Sequence, residues 1–276
     1  MAQVAKKTGD VAVVSALDEL MQQHKGAGLS NRAEDNLVPQ ISILQPLSPE
    51  VLEGPDKIAG AKPGDFLVTG KIISGREGFW FQPCFVDQTW LEFTPLQSGG
   101  GFVAQHPFVG VDGSGNAVPP PGAMAIGKMR YKMANGNEVI HYRQLAGILW
   151  TAEAGQSIGL EHVISFKSTG HTVMREWMTK AGQANRFANG DQRPLYGHVY
   201  KVTTEQRRNA SGQWFAVKVG EPLLLGAKES EAVVGDPMRA FTMGAALSDA
   251  FAAKEKRADQ AQASSDQQSQ DENVPL

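Results

Sequence analysis

The sequence predicts a mainly β fold, β-rich within the α+β class, and three observations predict it. Short runs rich in β-branched and aromatic residues recur from Asp65 onward, beginning with FLVTGKII, GFWFQPCFV and TWLEFTPL. Such runs suit a pleated, half-buried surface. Gly, Ser and Pro divide them, and 30 Gly with 15 Pro in 276 residues favour turns over long helices. Helical spacing is confined to a few short stretches, so helices are expected only as elaborations.

Residues 1–35 read as an arm. Val13, Ala16, Leu17, Leu20 and Met21 repeat at helical spacing, and Gly26 and Gly28 stop that helix. Pro39, Pro46, Pro49, Pro55 and Pro63 keep residues 29–64 irregular. After the first three strand runs, residues 97–122 form a turn-rich stretch holding GGG, DGSGN and PPPG, a loop of functional or disordered length. AIGKMRYKM and NEVIHYRQLAGILW flank Asn135-Gly136 and predict a hairpin. HVISFKS is a further strand, followed by a helix from about His171 to Ala181 with Val173, Met174 and Trp177 on one side.

PLYGHVYKVTTEQRR and QWFAVKV flank residues 209–212 as a second hairpin. Asp236-Pro237 opens the last helix, with Met238, Phe241, Ala245 and Phe251 expected on its apolar face. From Ala258, Gln, Ser, Ala and Asp dominate without an apolar period, the composition of a disordered acidic tail. The expected organisation is an arm at 1–35, a body at 36–257 and a tail at 258–276. Short strands in hairpins with extended loops and a few peripheral helices predict an OB-fold-like barrel, a small barrel that often carries basic and aromatic residues on one face.

Several function classes are excluded or left without support. No run of 18 apolar residues exists, so no membrane helix is expected. The single cysteine, Cys84, excludes an internal disulfide and a Cys-based zinc site. Its aromatic surroundings after Pro83 predict a buried, inert thiol in a reducing, cytoplasmic compartment. GxxxxGK[ST] and HExxH are missing, and no two of the six histidines stand at i,i+4. Glu161-His162 beside Lys167 imitates part of a nuclease site but lacks a partner Asp at suggestive spacing. The expectation is a non-enzymatic protein with no catalytic residues, metal or cofactor.

Charge carries more than its total suggests. The formal net charge is −3, but residues 258–276 hold Asp259, Asp266, Asp271 and Glu272 and no cation. Residues 165–218 carry Lys167, Arg175, Lys180, Arg186, Arg193, Lys201, Arg207, Arg208 and Lys218 against three acids. Phe166, Trp177, Phe187, Tyr196, Tyr200, Trp214 and Phe215 interleave with them. Cations that replace counterions along phosphates, beside rings on which bases stack, are what single-stranded nucleic acid requires. On a strand, Tyr196, His198 and Tyr200 share one face. Trp177, Tyr196, Tyr200 and Trp214 are therefore the candidate stacking rings. Lys128, Arg130 and Lys132 with His141, Tyr142 and Arg143 form a second basic patch. The alternative for all of these is a core for the rings and a solvated surface for the cations.

The chain finishes on Asp271-Glu272-Asn273-Val274-Pro275-Leu276. Acids followed by an aliphatic residue, Pro and a large apolar residue are similar to the tail tip of bacterial single-stranded DNA-binding proteins. There the pattern is several Asp followed by Ile-Pro-Phe; here Asn273, Val274 and Leu276 depart from it. Asp271, Glu272, Val274, Pro275 and Leu276 would offer an apolar anchor and a carboxylate to a basic-rimmed pocket. LQPLSPEVLEG, AKPGDFLVTGKII and WLEFTPLQSGGGFV, across about residues 40–105, resemble a bacteriophage family described as single-stranded DNA-binding proteins. That resemblance implies an OB-fold core, a disordered acidic tail and a protein of the host cytoplasm.

The expected function is sequence-independent coating of single-stranded DNA in replication or recombination. The expected partners are single-stranded DNA and, through the tail, replication or recombination proteins. A homo-oligomer is compatible with the sequence, and no membrane is expected. A phage structural or accessory virion protein is the main alternative, and a metal-dependent nuclease a further one.

Overall fold

The computed structural model describes residues 38–127, 130–153, 155–209 and 212–253. The expected arm at 1–35 and the tail at 258–276 lie outside the described residues, as does Lys128. The chain is mainly β, a single sheet curled into a half-barrel. Its strands are β1 (Gln40–Ile43), β2 (Phe66–Val68), β3 (Lys71–Ile73), β4 (Phe79–Thr94), β5 (Gly101–Pro107), β6 (Met124–Gly127) and β7 (Arg130–Lys132). Then follow β8 (Glu138–Glu153), β9 (Gln156–Lys167), α1 (Gly170–Ala184), β10 (His198–Asn209), β11 (Gly212–Leu224), α2 (Lys228–Val234) and α3 (residues 237–253).

The sheet order is β11-β10-β4-β8-β9-β1-β2-β3, with β5 on β4 and β6-β7 on the far end of β8. All ladders are antiparallel except β1 on β9. The expected hairpins form: Asn209 stands opposite Gly212, and Gly136, with φ +90°, turns the chain from β7 into β8. The stretch at 97–122 is not all loop, because β5 pairs with the outer half of β4.

Strand alternation divides the core in two. Leu145 and Leu149 of β8, Phe79 and Phe81 of β4, and Tyr200 and Val202 of β10 face the concavity. There Val173, Met174, Trp177 and Ala181 of α1 pack on them. The helix predicted for this stretch therefore fills the half-barrel. Ile148 and Trp150 of β8 and Val199 of β10 face the opposite side, under Val234 of α2 and Ala240 and Leu247 of α3.

On that second side Gln82 is fully buried with its amide satisfied. It donates to the Tyr196 and Ala240 carbonyls at 2.8 and 3.1 Å and accepts from Trp150 Nε1 at 3.1 Å. Pro83 interrupts the β4 ladder at a register shift. Opposite it, Gly147 is obligatory, since a Cβ there would lie 2.4 Å from the Gln82 carbonyl and 2.5 Å from the Phe81 ring.

Curling is secured by side chains where the backbone ladder does not close. The Gln45 amide donates to the Phe215 carbonyl at 2.9 Å and accepts from the Phe215 N–H at 3.0 Å, a ladder rung made by a side chain. Thr204 donates from its backbone to Gly75 and from its hydroxyl to Gly64. Asp236 caps α3 as expected, accepting from the Met238 and Arg239 N–H groups. The apolar face of α3 differs from expectation. Ala240 and Leu247 are its buried positions, while Met238 and Phe241 are exposed. A helix of period 3.6 running 240, 244, 247, 251 puts Met238 and Phe241 on the flank. Cys84 is buried, and burial pushes its thiol far above the usual range, the inert state expected.

Candidate nucleic-acid interface

The concave face of the sheet extends beyond the end of α1, and there it becomes polar. Along β8, Leu145 is core; stepping by two residues toward the start of the strand gives Arg143 and His141 on the same face. On the paired strand β4, Gln88 stands opposite Arg143 and Trp90 opposite His141. Tyr131 of β7 adds a ring. These side chains floor a cleft of about 860 Å³. Its walls are the first turn of α1, with Ser168 to Thr172 and Arg175, and the loop carrying Val111 and residues 115–117. Loop and strand bring the cleft together from segments far apart in sequence.

The cleft is electropositive. Among the described residues no Asp or Glu lines it, and neither Arg143 nor Arg175 has an ion pair. The carboxylate two residues further along the same face of β4, Glu92, is already held by His106, Asn135 and Asn137. Those hydrogen bonds, Asn137 foremost, keep Glu92 below the usual carboxylate range. Burial, and then the neighbouring His171 and Arg143, push His141 down to about 4. His171 is held down too, by burial first, while its Nε2 donates to the His141 carbonyl at 3.1 Å.

Helix α1 points its positive end here. Its N-cap, Thr169, makes no side-chain capping bond, and no acid occupies the first turn. The cleft also holds unused hydrogen-bonding capacity. Trp90 is 1% exposed and His141 4%, yet among the described residues Trp90 Nε1, both His141 ring nitrogens and Arg143 Nε meet no partner. The rings stack loosely: Trp90 lies 4.9 Å from His141, and Phe108 lies over His141 at 5.5 Å and 15°.

The structure scatters most of the sequence-predicted residues. Of them, Arg143 and Arg175 meet in the cleft. Trp177 and Tyr200 are fully buried, so neither presents a face to a base. Trp177 is enclosed edge-on by Phe81, Phe166 and Tyr200 because α1 seats in the concavity. The expected common face of Tyr196, His198 and Tyr200 does not form. Tyr196 belongs to the turn Leu195–Gly197 before β10 and packs against Phe241 of α3. Trp214 is half-buried on β11.

Several of the cations are engaged elsewhere. Arg130 pairs with Glu138 at 2.8 Å, Lys180 with Glu221 at 2.7 Å, and Arg207 with Glu205 and Glu176. Lys167 lies over the Tyr142 ring, Arg193 over Phe187 and Lys201 over Trp80. Arg186 donates to the Gly190 carbonyl within its own loop. Lys132 and Arg208 are exposed on β7 and β10. Gln88, Trp90 and His171 were not singled out from the sequence. The signal for Gln88 is a polar residue at a core-facing position of β4; Trp90, an aromatic on the same strand, and His171, in the first turn of α1, carry no such signal.

Residues 6–268, nearly the whole chain, match the family model described as Pam3 phage gp34-like protein. No curated protein and no solved structure matches the chain.

Proposed function

The chain belongs to the Pam3 phage gp34-like family, and from that premise and the chemistry of the cleft we propose that it binds single-stranded DNA without reading sequence. The observation that carries the reading is a concave, acid-free site holding Arg143 and Arg175 beside Trp90, Tyr131 and His141. Cations neutralise phosphates, and Tyr131, half-buried where Trp90 and His141 are buried, offers a ring face to an unpaired base. In this reading the protein works in the cytoplasm of the infected host on replication or recombination intermediates. The end of the chain, Asp271 to Leu276, docks replication or recombination proteins.

Titration of a labelled dT oligonucleotide at several salt concentrations tests the reading. With two or three phosphates contacted at the cleft, the log–log salt slope for single strands is about −1.5 to −2. Arg175→Gln should reduce its magnitude by about 0.7. Binding with no salt dependence, or a slope indifferent to Arg175, would count against it.

A role as an accessory virion protein has one observation in its favour. Phe102, Val103, Val109, Val111, Met124 and Ile126 are exposed apolar residues concentrated between β5 and β6, a composition suited to contact with another protein. Copurification with intact particles separates this role from the first.

A further inference from the structure

The cleft is more specific than a basic surface. Its 860 Å³ falls within the roughly 300–1,000 Å³ of sites that enclose small molecules, too small for a long run of strand and sufficient for one or two nucleotide units. It also combines two chemistries. Arg143, Arg175 and the uncapped first turn of α1 supply positive charge. Trp90, Tyr131 and His141 line it with rings, Trp90 edge-on to Tyr131 at 5.2 Å and His141 5.0 Å from His171 of that first turn.

Phe108 occupies a telling position in this arrangement. It follows directly on the end of β5 at Pro107 and pairs in no ladder, yet its ring lies nearly parallel to His141 at 5.5 Å. That is the relation a stacked base would have to the imidazole. Phe108 offers no hydrogen bond, and beneath it His141 and Trp90 keep buried ring nitrogens without partners. Buried polar groups of this kind are normally satisfied. A nucleotide brings an aromatic face to replace the phenyl ring, and both donors and acceptors, which the neutral imidazole and the Trp90 N–H together require.

Resting on the single-strand reading above, we propose that the cleft is a nucleotide subsite. A phosphate sits between Arg143, Arg175 and the start of α1, and a base stacks over His141 in the place Phe108 now fills. Phe108 is then a resident stand-in that leaves when a nucleotide enters.

Calorimetric titration of the full chain with dTMP, and separately with inorganic phosphate in a phosphate-free buffer, tests this beside the dT oligonucleotide. The expected results are that both small ligands bind, dTMP more tightly, and that Arg175→Gln and Arg143→Gln each weaken both by about tenfold or more. Phe108→Ala should tighten dTMP severalfold and leave inorganic phosphate unchanged. Arg175 is exposed, so its variant decides the matter even where Arg143→Gln melts early.

The subsite is overturned if dTMP does not bind, if Arg175→Gln leaves its affinity intact, or if Phe108→Ala weakens dTMP. If the oligonucleotide binds normally in those cases, the single-strand reading survives on another surface. If dTMP and phosphate behave as expected while the oligonucleotide binds no better than dTMP, the subsite stands and the single-strand reading falls.

Discussion

Replacing His141 by Phe should remove a specific share of the protein's acid sensitivity. In the folded chain the His141 imidazole stays neutral down to about pH 4, because burial disfavours its charge and His171 and Arg143 repel it. In the unfolded chain it takes up a proton near pH 6.5. Between those values the unfolded state binds more protons. Stability is therefore full above about pH 6.5 and falls as pH drops toward 4. At pH 5 the difference amounts to roughly 2 kcal/mol from this residue alone. For a body of this size that is about 4–8 °C in Tm between pH 7 and pH 5.

His171 and His198, both held low by burial, add to the loss in the same direction. The wild type should thus fall by more than 2 kcal/mol, and His141→Phe should retain only the remainder. Thermal melts of both proteins at pH 7 and pH 5, in a buffer without phosphate, measure this. Any packing cost of the larger ring cancels, since each protein is compared with itself. If His141→Phe loses as much Tm as the wild type on acidification, His141 is not a neutral buried group.

Other expectations are more local. Gln45→Ala removes the side-chain rung to Phe215 and leaves a backbone donor and acceptor unpaired, which should cost roughly 1–3 kcal/mol. Faster hydrogen exchange at the Phe215 amide would locate the effect, and unchanged exchange would refute it. Trp177→Ala empties the centre of the concave core and should cost roughly 3–5 kcal/mol. A variant that melts like the wild type but fails to bind oligonucleotide would reverse the placement of this ring. Deleting residues 258–276 removes four carboxylates and no cation, so oligonucleotide binding should tighten, most at low salt. Leu276→Ala, which changes no charge, should leave that affinity alone and weaken recovery of replication proteins in a pull-down; unaffected recovery would sink the docking role.

What could be read from the sequence was local. Asn135-Gly136 and the Asp236-Pro237 cap carry their geometry within a few residues, and both form as expected. Long strands rich in aromatic residues could be recognised one at a time, but which cations gather could not. Gathering depends on which strands are neighbours, and β4 lies between β8 and β10 across gaps of more than forty residues. Composition ranked residues 165–218 as the binding segment because it counts cations without asking what they face. Glu221, Glu138 and the ring of Trp80 lie outside that window, and each engages one of the cations singled out from the sequence.

The more informative signal was periodic. On β8 the inward positions run Val139, His141, Arg143, Leu145, Gly147, Leu149, so an imidazole and a guanidinium stand on a face that is otherwise core. Desolvating those two groups without a carboxylate partner costs stability. A fold that retains them there does so at the expense of its own core, which is the pattern expected where a face serves a ligand as well as the fold. The same logic sets Trp177 apart from Trp90. Both are buried rings with an unpaired indole nitrogen, but Trp177 is enclosed by Phe81, Phe166 and Tyr200, whereas Trp90 borders open volume shared with two arginines. Burial alone would place both rings in the core; the charge beside Trp90 is what marks it as part of a site.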